Sequence, residues 1–248
     1  MTDIAFECQC VMSYQIFSDH LEKIGIDGDN QLVINTLNPH SYASAKKDNF
    51  FAEALKKSDI VLPDGSGIVL AARLLNKIKI KKISGADLQD HLLCVLNKNN
   101  GSVFYMGSTP QTLDLLKAKI LKNFPNIKVG TYSPPFKPVF SQEDNDLIIE
   151  EINSFSPDVL FIGMTAPKQE KWLHQNKGRL NFKIASCIGA AFDFYAGTVI
   201  RASKFWINLH LEWLIRFMHE PKRLFRRNFI STPLFLTDLF LYIFKIRK

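Results

Sequence analysis

The chain has 248 residues, 46% of them hydrophobic, which is enough for one good core with an appendage and too little for two full domains. Its four cysteines (Cys8, Cys10, Cys94, Cys187) are scattered, and the Cys8-Gln9-Cys10 spacing is too tight for an ordinary zinc pair, so a reducing cytoplasm is the expected compartment. Arg201 to Lys248 holds ten Lys/Arg against three Asp/Glu, a surplus that equals the net charge of +7, so the first 200 residues are neutral and only the tail calls for an anionic partner.

Met1 to Cys10 carries two acids and no long apolar run, so no secretory signal is expected. The first 30 residues suggest a hairpin packed on a sheet, with Gly25 to Asn30 as its turn. Asp27, Gly28 and Asp29 resemble a calcium loop only superficially, because the rest of the twelve-residue pattern is missing. From Gln31 the chain alternates. Gln31 to Thr36 is an expected strand, followed by one helix with Ala43, Phe50, Phe51, Ala54 and Leu55 on its buried face. Asp59 to Leu62 is the next strand, stopped by Pro63, and Ile68, Ala71, Ala72 and Leu75 mark a helix. The basic cluster Lys77 to Lys82 leads into Ser84-Gly85-Ala86-Asp87 and a helix with Leu88, Leu92 and Leu96. Strands are then expected at 102–106, from 127, at 159–163 and at 183–189, with helices marked by Leu113, Leu116 and Ile120 and by Ile148, Ile152 and Phe155. Strands separated by helical patterns predict an α/β fold: a Rossmann-like, mostly parallel sheet with helices on both faces. Residues 1–200 are assigned to this domain and 201–248 to a basic, amphipathic helical appendage.

Parallel strands bring their polar turns to one edge. Four such turns stand out: Thr36/Asn38, Asp64, Gly107-Ser108-Thr109, and Gly163 to Glu170. Asp64 sits between a strand and the glycines Gly65 and Gly67, where it can cap the next helix or act chemically as a carboxylate in the crevice. Gly107-Ser108-Thr109 before a helix can offer amides to a phosphate, or can simply cap that helix. Neither GxxxxGK[ST] nor a GxGxxG after the first strand is present.

Several phrases together resemble one family. They are Thr36-Leu37-Asn38-Pro39, Pro63-Asp64-Gly65-Ser66-Gly67, Ser84-Gly85-Ala86-Asp87-Leu88, Gly107 with Pro110, Ala166-Pro167-Lys168-Gln169-Glu170, Phe192-Asp193 with Ala196-Gly197, and the stretch from Leu211 to Arg227. In this order they are similar to the WecG/TagA/CpsF glycosyltransferases. The resemblance implies a bacterial, metal-independent, inverting enzyme that needs no cofactor. It would move a sugar, N-acetylmannosamine being the first expectation, from a UDP-sugar to an undecaprenyl-diphosphate-linked sugar in polysaccharide or teichoic acid synthesis. A uronic acid form of that sugar or a hexose remains an alternative. The resemblance makes Asp64 the general base, assigns Thr36, Asn38, Lys82, Gly85, Gly107, Gln169 and Asp193 to the donor, and assigns Arg216, Arg223 and Arg226 to the lipid diphosphate of the acceptor. Lys82 stands where relatives more often carry arginine, so the bidentate fork is replaced by a point charge. Gly163-Met164-Thr165-Ala166 departs from a glycine-richer form. Residue by residue, plainer roles stay open: Thr36 ending a strand, Gln169 solvated on a helix, Asp193 bonding nearby backbone.

In the tail, Trp206, Leu209, Trp213 and Phe217 follow helical spacing, and Phe229, Leu234, Phe235, Leu236, Leu239, Phe240, Leu241 and Phe244 supply many large apolar groups. Pro233 and Asp238 interrupt the run, which favours a segment lying on an anionic membrane surface over one that crosses it. The plainer reading is a helix pair packed on the core. The expected location is the cytoplasmic face of the membrane, with no nucleic-acid partner. Neither a monomer nor a homo-oligomer follows from the sequence. A non-catalytic membrane scaffold is the competing function.

Overall fold

Six parallel strands form the centre of the protein, seen in a computed structural model that describes residues 6–26, 28, 30–198, 206, 217–218 and 221–244, the side chains of 221–223 excepted. Before them, β1 (Cys8–Val11) and β2 (Tyr14–Phe17) form an antiparallel hairpin. Its turn is Met12-Ser13, both at positive φ (48° and 72°), which matches the right-handed twist of the strands. The expected turn at Gly25 to Asn30 is therefore corrected. That segment instead follows a short 3-10 turn at Leu21–Lys23, and Asp27 and Asp29 lie outside the described residues.

The sheet comprises β3 (Leu32–Leu37), β4 (Ile60–Pro63), β5 (Ser102–Gly107), β6 (Lys128–Tyr132), β7 (Val159–Gly163) and β8 (Ile184–Cys187), in the order β4-β3-β8-β7-β5-β6. Pro63 pairs opposite Leu37, which it can do because β4 is the edge strand and needs no further donor there. The single helix expected after β3 is two, α1 (Pro39–Ala45) and α2 (Asn49–Lys56). The break occurs because Asp48 turns its carboxylate onto the Phe51 N–H and caps a new helix. Then come α3 (Ser66–Asn76), α4 (Gly85–Lys98), α5 (Pro110–Asn123), α6 (Gln142–Phe155), α7 (Lys168–Asn176) and α8 (Ala191–Ala196).

Alternation along the strands sends side chains to two packed faces. On one, Ile34, Tyr105, Phe161 and Ile184 meet Leu88 and Leu92 of α4, Leu113 and Leu116 of α5, and Phe192 of α8. On the other, Phe104, Leu160 and Ile162 meet α6 and α7. A third cluster surrounds Leu37 and Val61 and joins the hairpin to α1, α2 and α3.

From Pro221 the tail forms α9 (Pro221–Arg226), a π-helical turn (Arg227–Ser231) and α10 (Thr232–Ile243). Phe235 and Leu239 of α10 are buried in the third cluster. His40 bonds Ser231 at 2.9 Å, Tyr42 donates to Asp238 at 3.1 Å, Lys46 pairs with Asp238, and Ser13 meets the Tyr242 hydroxyl at 2.9 Å. These contacts lay α10 alongside α1 and running in the same direction. The opposite stripe, Leu236, Phe240 and Phe244, is exposed.

Candidate active site

All six strands end on one edge, which is the usual place for a ligand crevice in an open parallel sheet. Asn38, Asp64, Ser108, Ser133, Met164 and Ile188 are the first residues past the ends of β3, β4, β5, β6, β7 and β8.

Asp64 is half-buried, and its N–H bonds Leu37 O at 2.9 Å, so the backbone at the end of β4 is tied to β3. It does not cap α3. The N-cap of that helix is Gly65, at φ 98°, a region costly for any residue with a Cβ, and no side chain bonds the cap. The carboxylate instead receives the Asn38 amide, Nδ2 to Oδ2 at 3.3 Å. Asn38 Oδ1 caps α1 by accepting the His40 and Ser41 N–H groups, and Ser41 returns a bond to the Asn38 N–H. Asn38 thus has its acceptor side fixed on the helix and its donor side fixed on Asp64. Thr36 is half-buried two residues before Asn38, opposite Leu62 of β4.

Lys82 is brought to the same corner because Ile83 N–H bonds Pro63 O at 3.0 Å. Ser84 and Asp87 form a capping box on α4, and Gly85 is buried against Ile188, where an added Cβ would meet side-chain carbons at 3.0 Å. Gly107, at φ 121°, lies so close to β7 that a Cβ would stand 2.4 Å from Gly163 O. The Ser108 N–H is already bonded to Gly163 O, and Thr109 caps α5, so those two groups serve the fold. Asp193, half-buried on α8, lies one turn past Gly189.

Gln169 is not the solvated residue that its plainer reading had it; it is 4% exposed. Its Oε1 accepts the Met164 N–H at 3.0 Å and its Nε2 donates to Glu170 Oε1 at 2.8 Å. Burial, partly offset by that hydrogen bond, pushes the Glu170 carboxyl up to about 7. Two further residues, His40 and Arg227, escaped the sequence reading. His40 is half-buried on α1, and burial followed by Arg227 and Arg226 lowers its pKa. Arg226 and Arg227 therefore stand near the helix that carries Asn38. The only sequence signal for this was a histidine two residues past a helix cap. Arg216 and the Arg223 side chain lie outside the described residues.

The edge thus collects one oriented carboxylate, a lysine, a buried amide-acid pair and, beside α1, two arginines. Among the described residues no group of three His, Cys, Asp or Glu side chains could hold a metal ion. The arrangement can accept a proton at Asp64 and present cationic groups to an anion.

Residues 9–248 match the family described as glycosyl transferase WecG/TagA/CpsF. A relative in Bacillus subtilis (strain 168) is 34% identical over 207 residues, covering 84% of this chain and 79% of its own; it is named N-acetylglucosaminyldiphosphoundecaprenol N-acetyl-beta-D-mannosaminyltransferase. Proteins of the same name in Bacillus spizizenii (strain ATCC 23059 / NRRL B-14472 / W23) and Staphylococcus aureus (strain MRSA252) are 29% and 26% identical. The alignments cover 89% of this chain and 83% of the former relative, and 88% and 84% for the latter.

Proposed function

Because the chain belongs to the WecG/TagA/CpsF family of glycosyl transferases, we propose that it moves an N-acetylmannosamine-type sugar from a UDP donor to undecaprenyl-diphosphate-linked N-acetylglucosamine, in the synthesis of a cell-surface polymer such as teichoic acid. The observation that carries this reading is the Asp64 carboxylate, which caps no helix and is oriented by Asn38 at the ligand edge.

In the mechanism that follows, Asp64 takes the proton of the acceptor hydroxyl as its oxygen attacks the anomeric carbon, and UDP leaves from the opposite face with inversion. One carboxylate suffices. The buried acid Glu170 follows β7, three strands from β4, so about 14 Å of sheet separates the two strand ends at the usual strand spacing. A double-displacement site would need two carboxyls about 5 Å apart. Charge building on the departing diphosphate is met by Lys82 at the Asp64 corner, with Thr36, Gly85, Gly107, Gln169 and Asp193 shaping the donor pocket. Arg226, with Arg216 and Arg223, serves the acceptor diphosphate. Cationic side chains take the place of a metal ion in this scheme, so chelators leave the rate unchanged; a strict Mg²⁺ or Mn²⁺ requirement would overturn that part.

The catalytic unit is 1–200, and 201–248 attaches it to the inner face of the membrane. Among the described residues no helix is long and apolar enough to cross a bilayer. The exposed Leu236 and Phe240 on α10 and Phe244 at its C-cap, beside a basic segment, suit a peripheral contact with anionic lipid. The decisive assay supplies a panel of UDP-sugars and a short-chain lipid-diphosphate N-acetylglucosamine and follows UDP release. Release with UDP-N-acetylmannosamine supports the full reading. Preference for the uronic acid or a hexose replaces the sugar, and no release with any donor leaves a scaffold.

A further inference from the structure

The first turn of α7 contains an acid for which the transfer chemistry has no use. Glu170 is 6% exposed, its Oε1 accepts from Gln169, and its Oε2 is buried without a hydrogen-bond partner. An acid placed this way in an apolar interior costs stability, more so once ionised, unless something else gains from it. Gln169 is the group that responds. With Glu170 accepting on one side, the amide must present its NH₂ there, and Oε1 is left to receive the Met164 N–H. The amide also fills the space beside Gly189, where a Cβ would meet its nitrogen at 3.6 Å and its oxygen at 3.7 Å. The pair therefore ties α7 to the loop after β7 and packs beside the loop after β8.

These two loops occupy the middle of the edge. A donor with its anomeric carbon at Asp64, beyond β4, extends across β3 and β8 toward β7, because β4 is the last strand on that side. Strands lie about 4.8 Å apart, so the diphosphate, bonded to the anomeric carbon, stays on the β4 and β3 side, and the nucleoside reaches the loops of β8 and β7. We propose that Glu170 is a positioning residue for the donor: it orients the Gln169 amide, which holds the Met164 amide and with it the turn that faces the nucleoside end of the donor. This rests on the nucleotide-sugar reading of the site.

The placement has an electrostatic consequence. The carboxyl is pushed to about 7 by burial, and the titratable group facing it from β8 is the buried Cys187 thiol, itself pushed up by burial and by Glu170. On its own helix, Lys171 is turned to Asp48 and His174 to Glu53. Above neutrality the ionised Glu170 adds a buried negative charge on the nucleoside side of a donor that is itself anionic, and so opposes donor binding.

The test compares full-length wild type, Glu170→Gln and Glu170→Ala in steady-state transfer at pH 6 and pH 8.5, with calorimetric binding of UDP at pH 6.5. Expected for wild type is a donor KM that rises roughly 5–10-fold between the two pH values, on the order of one tenfold step in affinity, with kcat changed less than about 2-fold. Glu170→Gln keeps the hydrogen-bond acceptor and cannot ionise, so its KM stays near the wild-type value at pH 6 throughout. Glu170→Ala frees the amide and raises KM and the UDP Kd about 10-fold at both pH values. A folded Glu170→Ala protein with unchanged KM and Kd overturns the proposal, as does a loss confined to kcat. Equal pH dependence of KM in wild type and Glu170→Gln also overturns it. If wild type binds no UDP, the nucleotide-sugar reading fails first and the positioning role falls with it.

Discussion

Asn38 and Asp64 divide two duties that the local sequence had placed on one residue. Asn38 caps α1 and Asp64 is left free for chemistry, so Asp64→Asn is expected to keep the fold and lower turnover by roughly 10²–10⁴, the usual range for a lost acid/base group. Wild-type turnover in that variant would end the assignment. Asn38→Asp probes the contact differently. Aspartate caps as well as asparagine, so stability should hold, but a second carboxyl now faces the first and one of them keeps its proton to higher pH. The acidic limb of the kcat/KM profile should therefore move up in pH; an unmoved limb would mean that the 3.3 Å contact carries no weight. Glu170 makes a separate prediction about stability. Its folded value of about 7 lies above the ordinary 4.5, so between those values the native state holds more protons than the unfolded chain. The contribution of this one group to stability is then greatest below pH 4.5 and is lost as pH rises through 7, by roughly 3 kcal/mol in all. Glu170→Gln should show no such fall, and urea unfolding at pH 5 and pH 8.5 measures the difference.

Elements reach the ligand edge only where the backbone can approach closely enough. Gly107 is the tightest case, with φ 121° and the Gly163 carbonyl where a Cβ would lie. Gly107→Ala must push β5 from β7 at a backbone contact that cannot move aside, and it should cost more than about 3 kcal/mol or prevent folding. Gly178 meets nothing within 4 Å and has no positive φ. Gly178→Ala is the matched control, expected within about 0.5 kcal/mol of wild type in thermal unfolding. The break between α1 and α2 belongs to the same scale. A continuous apolar periodicity did not reveal it, because Asp48 gains more from capping at Phe51 than from lying inside a helix.

At the scale of the whole molecule, the charge surplus and the apolar stripe of α10 occur in the same tail. Leu236, Phe240 and Phe244 are exposed, so replacing all three with serine should change thermal stability little. The same change should remove sedimentation with anionic vesicles, and in wild type that sedimentation should weaken as salt rises. Unaltered pelleting of the triple variant would assign the membrane contact to another surface. Phe235 and Leu239 on the inner face give the plainer, core-packing reading its share, since the helix is bound to α1 and α3 on one side while it presents apolar groups on the other.

The alternation of apolar runs and helical stripes determined, from sequence alone, a parallel α/β sheet, and it placed Asn38, Asp64, Gly107 and Gln169 near strand ends, because strand direction puts all such turns on one edge. The ordered motifs identified the family, and charge counting located the basic surplus in the tail. Three matters were decided only by tertiary structure. Strand order set which turns are neighbours, so that Asn38 could touch Asp64 across 26 residues of chain. Burial, which no local pattern encodes, turned Gln169 and Glu170 inward and raised the acid to about 7. The docking of α10 along α1 brought Arg226 and Arg227 near His40, because the contacts that hold it, from Ser13 to Tyr242 and from Tyr42 and Lys46 to Asp238, join residues about 190 or more positions apart and leave no trace in any short stretch.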